Sequence, residues 1–439
     1  MLLEPVLGFG LIIAVPALIL AGRSVIYPIA LSGLPSLVIG LTGVNPFPNG
    51  TVFMAVTGWL IVGIAFALLE PGATKALGAA TVPLVLTAVL ATLIVARLLP
   101  GPYPATKVQL FVAQAPPLLL AGVLIARRTK VFRLFLVVTL AAAVAEALLL
   151  LKQFGSGGGH EVNPGRYTVS VDANPISAGR GAAAGFVIAM FLMLVPVSAA
   201  VRFFATVALP LVAIALLASG SRGPILALVL GISVMLILMP GGAERRKRLT
   251  LLFGSGIVTI FLASRLVPTE SIQRSLSFFL GTGTGRDSNE RVYTWGEAWQ
   301  LFTEHPLFGS GVGGFAIREP ILAYPHNILL EALAELGIVG FALVSSFLAL
   351  AIACGVSVWR ASAGIEREDA ALVLALFSMA FTNSMLSDPL ESAENLWLMI
   401  GLIYGLRARA EARGETTVEL TPLQPEPPPP IWSRRIRRA

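Results

Sequence analysis

The segment 324–340 reads YPHNILLEALAELGIVG and joins the longest polar stretch of the chain to one of its hydrophobic helices. One of only three histidines, His326, therefore stands at the start of a helix apolar enough to enter a membrane. Asn327 is a residue type that caps helix N-termini. The stretch predicts a membrane helix with a titratable side chain at its mouth.

The composition extends this interpretation to the whole chain. Its 439 residues are 56% hydrophobic and 13% charged, with a mean hydropathy of +0.83, which is too apolar for a soluble domain of this size. Apolar runs of about 20 residues match the thickness of a bilayer core. We predict an all-α polytopic membrane protein with about 12 transmembrane helices and a large, mostly helical loop outside the membrane between the last spans.

Thirteen apolar stretches are visible, and one of them, 25–43, is broken by Pro28, Gly33 and Pro35 and is interpreted as a bent or interfacial piece. The single cysteine, Cys354, lies inside an apolar run, so disulfides and CxxC metal sites are excluded. The stretches are 4–21, 25–43, 52–69, 76–98, 107–126, 131–151, 178–198, 201–219, 223–240, 249–267, 329–358, 370–386 and 394–407.

Short basic clusters at span ends set the orientation. The runs 127–130 (RRTK) and 245–248 (RRKR), with Arg407, Arg409 and Arg413, predict cytoplasmic ends. These clusters, which set the membrane orientation, account for the net charge of +7. No nucleic-acid partner is therefore expected. The predicted organisation is transmembrane helices at 1–151, a first outer loop at 152–177, transmembrane helices at 178–267, a large outer loop at 268–328, transmembrane helices at 329–408 and a disordered cytoplasmic tail at 409–439.

Four arginines fall on the outer boundary, where this topology expects few: Arg180, Arg222, Arg265 and Arg291. A single one would be explained by a snorkelling side chain. Four on one face, together with His326, predict an anion pocket. Ser221 and Pro224 are suited to the cap and first turn of a helix beginning at Arg222, and helix N-termini bind phosphate. Two helix ends with arginines would hold a pyrophosphate without metal.

The histidines have no HxxH, HExxH or DxD pattern beside them, so we expect no metal site and no cofactor. His326 is placed near the positive end of a helix dipole, which disfavours imidazolium and leaves the ring a proton acceptor at pH 7. The glycine-rich run 309–314 satisfies GxGxxG without a βαβ context, and is interpreted as a turn that lets backbone approach a ligand or helix end. Glu331 and Glu335 are interpreted as a solvated or interfacial helix face.

Three stretches together resemble the O-antigen ligase and O-antigen polymerase superfamily. They cover about residues 170–345, in the order and at the spacing of the family motifs. These are 221–223 (SRG), the region from 291–295 (RVYTW) to 305–311 (HPLFGSG), and His326-Asn327 followed after nine residues by Gly337-Ile338-Val339-Gly340. The N-terminal third is similar only in being polytopic.

The resemblance implies a metal-independent glycosyltransferase of the bacterial inner membrane that works on the periplasmic side. It uses glycans carried on undecaprenyl diphosphate. The family roles carry over to Arg222, Arg291 and His326 as catalytic residues. The charge argument adds Arg180 and Arg265, and Asn327 is included with the arginines among the residues that bind diphosphate and glycan.

Two alternatives remain open within and beyond this family. A ligase passes the finished polysaccharide to the lipid A-core oligosaccharide, whereas a polymerase passes it to another lipid-linked repeat. One dominant outer loop and a basic outer face, which suits a phosphorylated acceptor, favour the ligase. A secondary transporter of an anionic solute also fits the hydropathy, but it is disfavoured because the sequence has no internal repeat and its charges lie at the outer surface rather than at mid-membrane.

Overall fold

The computed structural model describes residues 51–155, 160–163, 165–168, 174–239, 243–280 and 286–414. This part of the chain is almost entirely helical. Its helices are α1 Thr51–Leu68, α2 Ala73–Ala79, α3 Thr81–Ala96, α4 Pro102–Ala126, α5 Thr129–Gly155, α6 Pro175–Leu194, α7 Ala199–Ala218, α8 Arg222–Leu238, α9 Ala243–Leu266, α10 Thr269–Leu280, α11 Arg286–Glu304, α12 Gly314–Arg318, α13 Ile328–Ala361, α14 Gly364–Leu386 and α15 Glu394–Ala412, with a 3₁₀ turn, η1, at Leu390–Ser392.

Six of the described helices are long and apolar enough to cross a membrane, or seven if the bent pair of α1 and α2 counts as one span. The six are α4, α5, α6, α7, α13 and α14. The protein is thus an all-α polytopic membrane protein, as predicted. The figure of twelve spans stays a prediction, and the stretches 4–21 and 25–43 lie outside the described residues.

Several predicted boundaries are wrong. The stretch 76–98 is two helices rather than one, because α2 ends at Ala79 and α3 begins at Thr81. The chain also bends by 108° between α1 and α2. Gly72, in a left-handed conformation, follows Pro71 at that bend. The predicted loop 152–177 is shortened by helix at both ends. It also contains a two-stranded antiparallel hairpin, His160–Asn163 with Arg166–Thr168.

The predicted tail also begins too early. Helix α15 continues to Ala412, and Arg409 is buried in the bundle, where it bonds the carboxylate of Asp369 at 2.9 Å and that of Glu366 at 2.8 Å. Residues 409–412 are therefore packed helix, because a buried carboxylate at the start of α14 needs the arginine as its partner. Residues 415–439 lie outside the described part.

Helices α4 and α15 cross with their backbones in contact. A Cβ atom on Gly401 would lie 2.1 Å from the carbonyl oxygen of Leu119, and one on Gly122 would lie 2.5 Å from that of Leu398. Glycines permit such close packing between membrane helices, where dispersion contacts replace a hydrophobic driving force. The crossing fixes α4, whose outer end contributes to the interior described below.

Helix α13 is broken at Gly337, whose backbone angles are φ 68° and ψ −163°. The break frees the carbonyls of Ala334 and Glu335 and the N–H groups of Ile338 and Val339. The segment 305–311 satisfies all four. The N–H groups of Ser310 and Gly311 donate to Ala334 and Glu335, both at 2.9 Å, while the carbonyls of Pro306 and Leu307 accept from Ile338 at 2.9 Å and Val339 at 3.4 Å.

The glycine-rich run 309–314 takes part in these hydrogen bonds. Its sequence had been interpreted as a turn that lets backbone approach a ligand or a helix end. Gly309 has a φ of +68°, and a Cβ there would lie 2.3 Å from the carbonyl carbon of Glu335. Arg97, at the end of α3, donates to the carbonyl of Gly309 at 3.0 Å. The run is thus a backbone clamp on α13, and it fixes the first, shorter half of that helix, Ile328–Leu336.

Gly337→Ala is expected to weaken this clamp severely. The φ and ψ of Gly337 belong to a region that only glycine occupies without strain, and an added Cβ would meet the carbonyl oxygen of Leu307 at 2.4 Å. We expect a loss of at least about 2 kcal/mol in the free energy of unfolding. Thermal denaturation in detergent measures it. Gly254→Ala in α9, where a Cβ meets nothing within 4 Å, is the matched control, and equal stability of both variants would contradict the clamp.

Candidate active site

Three segments meet around the end of helix α14. They are the start of α13 with His326, the start of α6 with Arg180, and the residues that follow α14, Ser387 and Asp388. The backbone of Ser387 hydrogen-bonds the ring of His326, and the carboxylate of Asp388 pairs with Arg180. Residues distant in sequence are thereby brought to one end of the helical bundle.

His326 is held in a strained backbone conformation. Its φ is 58°, and it is one of two described non-glycine residues with a positive φ. The next residue, Asn327, caps α13, because its side-chain oxygen accepts hydrogen bonds from the N–H groups of Leu329 at 3.0 Å and Leu330 at 3.1 Å. The predicted cap is therefore present. Strain of this kind is found where surrounding structure fixes a side chain for a task.

The surroundings of His326 keep its imidazole neutral. Burial lowers its pKa below the ordinary 6.5, the positive charge of Arg291 lowers it further, and the hydrogen bond with Ser387 and the charge of Glu290 act in the opposite direction. The aromatic ring of Tyr324 lies edge-on to the imidazole, with 4.3 Å between ring centroids. Burial, followed by the nearby carboxylate of Asp388, raises the pKa of Tyr324 to about 12, so this phenol keeps its proton.

Arg180, predicted as an anion ligand, lies on the first turns of α6 with one guanidinium nitrogen 2.5 Å from an oxygen of Asp388. The other oxygen of Asp388 accepts a hydrogen bond from Ser384 at 3.2 Å. Burial raises the pKa of Asp388 and the pairing with Arg180 opposes that rise. The ion pair holds the guanidinium in one orientation at the end of the bundle.

Arg222 is the first residue of α8, as predicted. Its neighbour Gly223 lies beside Ser387, because a Cβ on that glycine would be 3.8 Å from the Ser387 hydroxyl. The predicted capping by Ser221 is wrong. Ser221 occupies the cap position, but its hydroxyl donates to the carbonyl of Pro175 at 3.2 Å instead of accepting from α8, since α6 begins alongside.

The two remaining arginines differ from each other. Arg291, in the second turn of α11, is close enough to lower the pKa of His326 through its charge. Arg265 is exposed in the last turn of α9, and no described contact joins it to His326 or Asp388. The described interactions therefore link Arg180, Arg291 and His326 to one region and place Arg222 next to it through Gly223, whereas none of them links Arg265 to this region.

The sequence reasoning missed Ser387, Asp388 and Tyr324. A signal for the first two was available, because the turn between the predicted spans 370–386 and 394–407 falls on the same outer side as the arginines. A carboxylate in that turn is a natural partner for one of them. Tyr324 precedes His326 by two residues, but only the left-handed turn at His326 brings the two rings together.

The interpretation of Glu331 and Glu335 as a solvated or interfacial face is wrong. Both side chains are buried, and both contact Lys107 of α4, with Glu335 at 2.8 Å from its ammonium nitrogen. These carboxylates are buried next to the ammonium of Lys107, which offsets part of the cost of burying their charge. Among the described residues, no group of three His, Cys, Asp or Glu side chains has a geometry suited to a metal ion.

Comparison with known proteins agrees with the motifs. Residues 205–345 match the family model described as O-Antigen ligase. An O-antigen ligase of Pseudomonas aeruginosa is 30% identical over 228 residues, which are 47% of this chain and 51% of that protein. The alignment thus spans about half the length of the relative. Both comparisons agree with the resemblance found in the sequence, and residues 205–345 are similar to the O-antigen ligase family.

Proposed function

We propose that the protein is an O-antigen ligase of the bacterial inner membrane, with its active site on the periplasmic side. It transfers polysaccharide from undecaprenyl diphosphate to the lipid A-core oligosaccharide in lipopolysaccharide biosynthesis. The observation that carries the proposal is the grouping of His326 with Arg180, Arg222 and Arg291 at one end of the bundle. The similarity of residues 205–345 to the O-antigen ligase family supports the reaction class.

In this reaction a nitrogen of His326 accepts the proton of an acceptor sugar hydroxyl, and the hydroxyl oxygen forms a bond to the anomeric carbon. The bond between that carbon and the diphosphate oxygen breaks, and its electron pair leaves with undecaprenyl diphosphate. Attack from the face opposite the leaving group inverts the centre. A neutral, buried imidazole suits the base, since its lowered pKa keeps it unprotonated near neutral pH.

The arginines stabilise the negative charge that develops on the diphosphate. Arg222 is the first residue of α8, so the positive end of that helix adds to its own charge. Arg180 is already oriented by Asp388, which reduces the ordering that substrate binding would require. Arg265, which is exposed, keeps a role in attracting the anionic substrate to the surface.

A ligase is favoured over a polymerase because the aligned relative is named an O-antigen ligase and because the basic outer boundary suits a phosphorylated acceptor. A transporter of an anionic solute would need the same arginines but no base. Purified protein in detergent, supplied with both lipids and no ion gradient, separates these functions. Transfer of glycan to lipid A-core indicates the ligase, joining of repeats indicates the polymerase, and absence of both favours transport.

His326→Ala is expected to lower the transfer rate by about 10²-fold or more, because it removes the general base. The protein should still insert and fold, since Asn327 and not His326 caps α13. In the wild type, activity should rise with pH through the pKa of the base, with a midpoint below 6.5. Assays of glycan transfer in vitro over a range of pH measure the rate of the variant and the pH midpoint of the wild type. A wild-type rate in the variant would remove His326 from the mechanism.

Arg222→Lys and Arg291→Lys should each lower transfer, because lysine keeps the charge but loses the planar two-pronged contact with phosphate. Arg265→Lys is the matched control, an outer-boundary arginine that the structure leaves exposed, and we expect it to be nearly silent. Membrane insertion is verified first for all three. Unchanged rates in both test variants would contradict the diphosphate pocket.

Activity is expected to survive EDTA. The charge on the diphosphate is met by arginines in this scheme, and the described residues contain no cluster suited to a metal ion. Transfer is measured before and after chelation and after adding back Mg²⁺ or Mn²⁺. A requirement for either ion would contradict the scheme, and Glu331, Glu335 and Asp287 would be the first residues to test.

A further inference from the structure

One buried lysine lies among three carboxylates next to the proposed active site. The side chain of Lys107, on α4, is 4% exposed, and its ammonium contacts Glu331, lies 2.8 Å from Glu335 and 3.9 Å from Glu391. The first two carboxylates are on α13 and the third is in η1. These four residues are called the lysine cluster below.

The lysine cluster joins two segments that carry residues of the proposed site. One oxygen of Glu331 contacts Lys107, and the other accepts the backbone N–H of Leu390 at 2.8 Å. Glu331 follows His326 by five residues on the first turn of the same helix, and Leu390 follows Asp388 by two. A single carboxylate therefore connects the start of α13 to the segment that contacts the His326 ring and Arg180, and Lys107 anchors both to α4.

The charges of the lysine cluster make Lys107 difficult to replace. With every group ionised, three carboxylates and one ammonium carry a net charge of −2 in a buried environment, which is costly. Burial raises the pKa of Glu391 to about 8, repulsion by Glu331 and Glu335 adds to this, and Lys107 opposes it. Tyr103 of α4 also faces the lysine, with its ring centroid 5.9 Å from the ammonium.

A small cavity is left between these side chains. It has a volume of about 20 Å³, room for one water molecule, and is lined by all four charged groups and by apolar residues such as Ile94 and Phe111. One oxygen of Glu335 and one of Glu391 have no hydrogen-bond partner among the described residues. The interior is thus packed around the lysine, and the carboxylates have little space in which to rearrange.

We propose that Lys107 and Glu331 are positioning residues for glycan transfer, which hold His326 at a fixed distance from the Arg180–Asp388 pair. The proposal rests on the proposed function for its reaction, but the link itself is a property of the fold. If the link fails, the start of α13 and the 387–390 segment move independently. A displacement of about 1 Å at a reacting group is enough to cost about 10²-fold in rate.

The test compares Lys107→Met, Lys107→Arg and Glu331→Gln with a matched control, Asp369→Asn. Asp369 is fully buried and pairs with Arg133 at 2.5 Å and Arg409 at 2.9 Å, at the opposite end of α14 from Ser387. The control therefore disrupts a comparable buried ion network, at the far end of a helix that reaches the site, without touching the site. Thermal denaturation of each protein in detergent gives the loss of stability.

Two readouts separate positioning from stability alone. The first is kcat and KM for the lipid-linked donor, normalised to folded protein. The second needs no substrate: NMR of protein labelled at its three histidines, with resonances assigned from His160→Gln and His305→Gln variants, reports the chemical shift and pKa of the His326 ring.

We expect Lys107→Met and Glu331→Gln to lower kcat at least tenfold with KM changed less than about threefold, and to shift the His326 resonances. The pKa of His326 should rise toward its ordinary value as the ring gains solvent. Lys107→Arg keeps the positive charge, so its kcat and its His326 resonances should lie closer to those of the wild type than in Lys107→Met. Asp369→Asn should reduce stability but leave the kcat of the folded fraction and the His326 resonances unchanged.

Unchanged His326 resonances and kcat in folded Lys107→Met would overturn the proposal, as would an equal loss of kcat in Asp369→Asn. If Lys107→Met does not fold, Glu331→Gln decides the matter, because it keeps the side-chain volume and removes one of the two contacts of the carboxylate. A wild type inactive towards both acceptors would overturn the proposed function, while the NMR comparison would still decide whether the lysine cluster positions His326.

Discussion

The four backbone hydrogen bonds between the break in α13 and the segment 305–311 are the constraint on which the His326 end of the bundle depends. A membrane helix that breaks exposes N–H and C=O groups that the bilayer cannot satisfy, at a cost of several kcal/mol for each group. Here the segment 305–311 supplies partners for two carbonyl and two N–H groups at the break. The break is therefore tolerated, and the first half of α13 carries Asn327, Glu331 and Glu335 in fixed positions.

The proposed active site follows from this arrangement because each of its elements ends at the same place. Helices α6, α8 and α13 begin there and α14 ends there, so positive helix ends and arginines meet around Ser387 and Asp388. Helix N-termini and guanidinium groups both favour anions. The imidazole of His326, neutral through burial and the charge of Arg291, is the proton acceptor among these cations.

Charge pairing distinguishes the residues that the sequence could not separate. Arg180 and Arg265 are both arginines at a predicted outer boundary, yet one is bound to Asp388 and the other is exposed. In the same way, Glu331 and Glu335 have the spacing of a solvated helix face but surround Lys107 in the interior. Position along the chain gives the depth of a residue relative to the membrane. It does not give the neighbour that a side chain faces.

By itself, the sequence determined the class of the protein, most helix positions and the cap at Asn327, and it predicted an anion pocket of His326 with four arginines. These follow from local properties, namely apolar run length, capping chemistry and motif spacing. Tertiary structure alone decided the break at Gly337, the partners of Arg180 and Arg409, and the burial of the lysine cluster. Each of these depends on contacts between residues far apart in the chain, and many sequences with the same hydrophobic pattern would pair them differently.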